Sequence, residues 1–246
     1  IIVMPGHAEA ISSATAMAIS KKGVTILGMG AGSARPTFTL DTANTATVAV
    51  SAANVTIDNC IFVANFLSIA AAFTLTTAAA FTLSNCEFRE TSSVLDFLNI
   101  VKSTGAANTV DDLKVVGCTW NGLGTTSVNS FILTANDIDN AQVIGNTVIL
   151  ARTADASILI TVSAGVLTNL NCGYNNVQSQ QTATTAGSLI NVGGTTSSGI
   201  VQRNFAQTLT TAADKLYTTT VGLAAFENYV SGVIGASGFI IPTRDS

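Results

Sequence analysis

Four acids raise the first chemical question. Asp111 and Asp112 are adjacent, and Asp137 and Asp139 stand one residue apart a little further on. Paired carboxylates are what glycosidic hydrolysis requires, one to protonate the leaving oxygen and one to attack or to activate water. The same oxygens suit a hard cation such as Ca²⁺. Lys114 and Lys102 lie close by in sequence, and Asp58 and Asp96 are further single acids. The competing reading is that all of these are turn carboxylates capping loop backbone, a common role of Asp.

Other chemical groups are sparse. The single histidine, His7, sits in a Pro-Gly-His turn far from those acids and is expected to be exposed. Cys60, Cys86, Cys118 and Cys172 form no Cys-x-x-Cys or Cys-x-x-His pair, so neither zinc nor any other cofactor is expected. GMGAGS at 28–33 resembles a phosphate cradle, but no helix is expected after it, so the motif lacks its context. Lys21-Lys22 is the longest basic run, which argues against a nucleic-acid partner. No apolar stretch is long enough for a membrane-spanning helix, so no membrane partner is expected.

The elements that would position these groups come from a repeat. VTIDNCIF (55–62), FTLSNCEF (81–88) and LKVVGCTW (113–120) share one pattern, with VTILGMGA (24–31) before them. AQVIGNTV (141–148), LNCGYNNV (170–177), GIVQRNFA (199–206) and LAAFENYV (223–230) continue it, at a period near 28 residues. Within a window, apolar Val55 and Ile57 alternate with polar Thr56 and Asp58, the period-two mark of a half-buried strand. Asn-Cys, Gly-Cys or Gly-Asn then turns the chain, and a second short strand follows. Upstream of each window lies another apolar run, such as TATVAV (45–50) or FLNIVKS (97–103). Three short strands and no helix per repeat predict an all-β solenoid, a right-handed parallel β-helix of about eight coils spaced ~4.8 Å apart.

Stacked coils place equivalent residues in rows. The sixth window position predicts an inward ladder of Cys60, Cys86, Cys118, Asn146, Asn175, Asn204 and Asn228, with asparagines bonding to one another and to backbone. The thiols are expected to be free and buried, a disulfide between neighbouring coils being the alternative. Phe62, Phe88 and Trp120 should form an aromatic stack, with Cys172 in the core. Asp111/Asp112 and Asp137/Asp139 would fall on neighbouring coils, on one side of the rod.

A solenoid's open ends need covering. Residues 8–22 carry Ala8, Ile11, Ala14, Thr15, Ala18 and Ile19 at helical spacing and stop at Lys21-Lys22-Gly23. A capping helix is expected there. The whole chain, 1–246, reads as one domain: an N-terminal strand and helix over 1–23, coils over 24–230, and a cap or tail over 231–246.

IIVMPGHAEAI followed by KKGVTILGMG resembles the opening of pectin-lyase-like right-handed parallel β-helices, and the V-x-I-x-N-C-x-F phrase resembles their repeated corner. That resemblance implies the fold and leaves a choice among polysaccharide lyases, hydrolases, esterases, adhesins and phage virion proteins. Lyases of this shape use an acidic Ca²⁺ site with a basic Arg or Lys, for which Asp111, Asp112, Asp137, Asp139 and Lys114 are the candidates. The polygalacturonase patterns, including a Gly-His-Gly, are absent. The turns look too short to wall a deep cleft.

Charged residues make up only 10% of the chain, with a net charge of −4, and Thr, Ser, Ala and Gln take their place outside. Such a surface suits packing against identical neighbours. The chain therefore resembles most the non-catalytic tailspike-type members. The expected function is a non-enzymatic structural or adhesive virion component (decoration, fibre or spike) that self-associates, by resemblance as a homotrimer. Its partners would be other virion proteins or a cell-surface glycan, and its place the virion or the extracellular space. The alternative is a polysaccharide-degrading enzyme using the four acids.

Overall fold

A computed structural model describes residues 1–124, 130–151, 157–179, 188–192, 196–208, 215–217, 222–226 and 228–231. The chain winds through three long parallel sheets in a fixed order, so that each sheet takes one strand per turn. This is a parallel β-solenoid. The first sheet has nine strands, including Thr25–Gly28, Thr56–Asp58, Thr82–Ser84, Lys114–Val116, Gln142–Ile144 and Leu170–Gly173. The second also has nine, including Thr37–Leu40, Ile61–Ala64, Glu87–Glu90, Thr119–Gly122 and Thr147–Leu150. The third has eight, built from the apolar runs upstream of each window, such as Val48–Val50 and Asn99–Ser103.

Register follows the alternation in sequence. In the first sheet Ile57 lies between Ile26 and Leu83, and the row continues through Val115, Val143, Cys172 and Val201. All of these side chains are buried. The residues between them, such as Thr56, Thr82 and Lys114, face outward. A slip of one residue would turn this whole row to solvent, so burial fixes the register.

The corner between the first and second sheets is a two-residue turn. Its leading residue has left-handed backbone in successive coils: Asn59 (φ 57°), Asn85 (φ 52°), Gly117 (φ 63°), Gly145 (φ 67°), Tyr174 (φ 58°) and Arg203 (φ 52°). Asn and Gly enter that region cheaply. Tyr174 and Arg203 do so because strand pairing on either side holds the turn.

The capping helix expected over residues 8–22 is absent. Ala8–Ile11 and Met17–Ile19 are strands, pairing in parallel with Thr37–Leu40 and Val48–Val50. Ile11 and Ile19 are buried while their strand neighbours Ala10 and Ala18 are exposed. Those two isoleucines were read on one helical stripe; they end two strands instead. The next coil supplies ready backbone partners, and that tertiary pairing outweighs the helical preference of alanine. Together with Ile2–Val3 these strands make an additional first rung, so the count exceeds the eight coils expected. The one helical turn described is a 3₁₀ segment at Gly32–Ala34. Residues 232–246, expected as a cap or tail, lie outside the described residues.

Candidate functional site

The four acids occupy the corner that leads into the first sheet. Asp111 and Asp112 lie one coil before Asp137 and Asp139, and the structure brings the two groups together. Asp111 Oδ1 accepts the backbone N–H of Asp139 at 2.9 Å. Asp112 Oδ1 accepts from Asn140 Nδ2 at 3.2 Å, and Asp137 Oδ1 accepts the backbone N–H of Val166 at 2.8 Å. Asp112 itself has left-handed backbone (φ 58°), in line with Asn54, Ala80, Asn140 and Asn169 on neighbouring coils. Three of the four carboxylates thus tie one coil to the next. Lys114 is exposed on the first sheet, while Lys102 lies on the third. Among the described residues, no group of three His, Cys, Asp or Glu side chains is placed to hold a metal ion. His7 stands at the N-terminal turn, with its ring 5.9 Å from Phe38 and its Nε2 3.6 Å from the Glu9 carboxylate.

Directly after each left-handed corner residue lies a buried row. Cys60, Cys86 and Cys118 are free thiols with almost no exposure. Burial pushes the Cys60 thiol up to about 11 and the Cys118 thiol to about 12, and it raises Cys86 as well. Cys172, also buried and free, is pushed up to about 12 by burial. These are inert, protonated groups. From Cys118 onward the row becomes a chain of amides. Asn146 Oδ1 accepts the Cys118 N–H at 2.9 Å, Asn175 Oδ1 the Asn146 N–H at 3.0 Å, and Asn204 Oδ1 the Asn175 N–H at 3.1 Å. Asn228 Oδ1 accepts the Asn204 N–H at 3.1 Å. Each Nδ2 also donates back to a carbonyl, as Asn175 does to Val143 O at 2.8 Å.

Phe62 and Phe88 stack at 5.6 Å between centroids, and Trp120 pairs with Phe88 in strand register. Phe38 extends the stack on the other side, 5.4 Å from Phe62. The sequence windows missed Phe38 because residues 29–36 form a longer loop before its strand.

Two polar features were not read from the sequence. The first is a groove of about 540 Å³ at the corner between the first and second sheets, roofed by the Gly30–Arg35 loop. Asn59, Asn85, Glu87, Gly117 and Thr119 line it. Arg35 reaches two coils onward to the Glu87 carboxylate and to Asn85 O at 3.1 Å, and Arg89 Nε meets Glu87 Oε1 at 2.5 Å. The hydrogen bond from Arg89, with the charges of both arginines, holds the Glu87 carboxyl below its ordinary range. The second is Glu90, which is buried. Its Oε1 accepts Trp120 Nε1 at 3.0 Å and the Phe97 N–H at 3.2 Å, and its Oε2 accepts the Leu123 and Gly124 N–H groups at 2.5 and 2.9 Å. Burial raises its carboxyl above the usual range against those four donors. Asp96 is buried beside Gly124. No sequence pattern marked Glu90: the eight-residue windows end at Phe88, although alternation from Phe88 places Glu90 on the inward face of its strand.

The class of molecule is thus a parallel β-solenoid, compatible with the β-helix superfamily, with an inward Cys/Asn ladder. No protein-family model matches the chain, and neither curated proteins nor solved structures offer a match.

Proposed function

We propose that the chain is a non-enzymatic structural or adhesive rod, a pectin-lyase-like β-helix serving as a virion decoration, fibre or spike component. It works by keeping a rigid shape and packing its sides against identical copies, three by the resemblance noted above. One observation carries this reading. The acids best suited to chemistry act as acceptors that bind one coil to the next, at 2.8–3.2 Å. Oxygens already engaged by amide donors of the next coil are tied to holding structure rather than turned to a substrate. The low surface charge supports lateral packing.

The corner groove favours a second reading, binding or cutting of a glycan. It has the size of a ligand site. Its one lining carboxylate, Glu87, is held ionised between two arginines, and no second acid lines it. Hydrolysis by paired carboxylates therefore has little support there. The test is incubation of the purified protein, with and without Ca²⁺, with bacterial and plant polysaccharides, followed by assay of reducing ends and unsaturated products. No product is expected. Cleavage abolished by Asp111→Asn with Asp112→Asn, or by Glu87→Gln, would replace the structural reading with an enzymatic one.

A further inference from the structure

At the corner between the first and second sheets, two residues stand where local backbone chemistry disfavours them. Coil after coil the left-handed position is taken by Asn or Gly, and then by Tyr174 (φ 58°) and Arg203 (φ 52°). Bulky side chains rarely adopt that backbone, and such outliers gather at functional sites. The two are neighbours on successive coils. Arg203 Nη1 donates to Tyr174 Oη at 2.8 Å, and its guanidinium carbon lies 5.7 Å from the ring centre. That contact steadies the ring, yet Tyr174 stays 54% exposed. The coil before it has Gly145 at the corner, where an added Cβ would meet nothing within 4 Å. No corner side chain therefore covers the ring from that side. Phe205, 41% exposed, is two residues beyond Arg203 and pairs in strand register with Asn176. Among the described residues, Tyr174 and Phe205 are the two exposed Phe, Tyr or Trp side chains. Half-buried Asn176, Gln178 and Gln202 flank them. Within 141–150, 170–179 and 196–208, Arg203 is the one charged residue.

We propose that Tyr174, Arg203 and Phe205 form a platform that binds an uncharged glycan. A sugar ring presents a face of C–H bonds, which settles on the electron-rich face of an aromatic ring. Its hydroxyls need donors and acceptors together, and the amides of Asn176, Gln178 and Gln202 supply both. Tyr174 and Arg203 already hold each other, so little side-chain freedom is lost on binding. A lone arginine bonded to a tyrosine suits an uncharged ligand better than a nucleic-acid strand, whose phosphates call for several cations. The groove under the Gly30–Arg35 loop opens on the same corner. Gly117, which lines it, stands two coils before Tyr174, or about 10 Å. A chain of sugars laid along the corner would cross the bare Gly145 and reach from one to the other. The proposal rests on the adhesive reading above and gives it a surface and a ligand class. It needs no cleavage, since the four acids lie at the other corner of the first sheet.

The test is a saturation-transfer difference NMR titration of the full chain with cellohexaose, maltohexaose and chitohexaose. Transfer to the ring C–H protons of at least one hexamer is expected. Tyr174→Asn gives the corner a residue its backbone accepts cheaply. That variant should be at least as stable as the wild type in chemical denaturation, while binding weakens at least about tenfold. Phe205→Ala should weaken binding as well. Gly145→Asn, which left-handed backbone also tolerates, puts a side chain beside the ring and should do the same. No transfer to any hexamer would overturn the platform and leave lateral self-association untouched. Transfer unchanged by Tyr174→Asn would overturn this surface while leaving glycan adhesion in place elsewhere on the rod. A wild-type oligomer that Tyr174→Asn reduces to monomers in sedimentation velocity would also overturn it, by making the ring a contact between copies.

Discussion

One corner of the solenoid is filled in two ways. In the N-terminal half it holds the thiols of Cys60, Cys86 and Cys118, backed by the rings of Phe38, Phe62, Phe88 and Trp120. In the C-terminal half it holds Asn146, Asn175, Asn204 and Asn228, while the aromatic row shrinks to Val148, Val177 and Ala206. The first solution relies on shape and dispersion, which are non-directional. The second relies on hydrogen bonds, which fix each coil's height on the next. Where the core is too small to stack by bulk, a satisfied amide network supplies the register.

The sharpest way to break this contrast is at Asn175. Asn175→Ala takes the acceptor from the Asn146 backbone N–H and a donor from the Val143 carbonyl in a buried site, while Asn146 Nδ2 keeps Val115 O and Asn204 Oδ1 keeps the backbone N–H of residue 175. At about 1–3 kcal/mol for each of these two buried groups, the loss should be about 4 kcal/mol in chemical denaturation. Cys86→Ala, at the same corner in the other half, removes no such network and should cost far less.

Phe62→Ala comes next. It empties the middle of the ring stack and should cost about 4 kcal/mol by the usual scale for buried aromatics. Val177→Ala, its counterpart in the amide half, should cost about 1–2 kcal/mol, since only two methyls are lost.

The thiol half should also be the more alkali-sensitive one, with three buried thiols against Cys172 alone in the other half. Folded Cys60 and Cys118 titrate near 11 and 12, against 9.0 for an unconstrained thiol. Because the folded values are raised, stability is intact below pH 9 and falls as pH rises through the folded values. Between pH 9 and 10 each buried thiol should remove about 1 kcal/mol. Denaturation melts across this range should flatten when Cys60, Cys86 and Cys118 are replaced by alanine. An unchanged slope would mean the thiols are not what ionises.

The smallest effect belongs to the half-buried Arg35–Glu87–Arg89 clamp. Glu87→Gln should cost no more than about 1 kcal/mol, as solvent screens such pairs. Its lowered carboxyl means that the pair's contribution is present above the ordinary carboxylate range and lost as pH falls through the folded value. Melting at pH 3 and pH 7 should therefore differ less in the variant than in the wild type.

The solenoid was legible because two local signals recur together. Val55-Thr56-Ile57-Asp58 gives the strand, and Asn59-Cys60 gives a turn that only a few residue types enter freely. The first rung was not legible, because Ala8–Ile11 and Met17–Ile19 are alanine-rich and become strands only through their neighbours. Tyr174 and Arg203 carry no local mark of left-handed backbone, so their turns followed only from the period. The proximity of Asp111 to Asp139 also followed from the period. The role of those oxygens did not, since an acid in a turn reads alike whether it caps backbone or awaits a ligand. Glu90 was hidden for a related reason: its four donors come from two other stretches of chain, Phe97 and residues 120–124.

The most direct test of the account is the stability of Asp111→Ala and Asp137→Ala by chemical denaturation at neutral pH. If these carboxylates hold coil to coil, each variant should lose about 1–2 kcal/mol, the worth of a charge-assisted hydrogen bond. Acids gathered for catalysis or ligand binding repel one another, and removing one usually leaves stability unchanged or raised. Variants as stable as the wild type, or more so, would contradict the structural reading and return the four acids to candidacy as an active site.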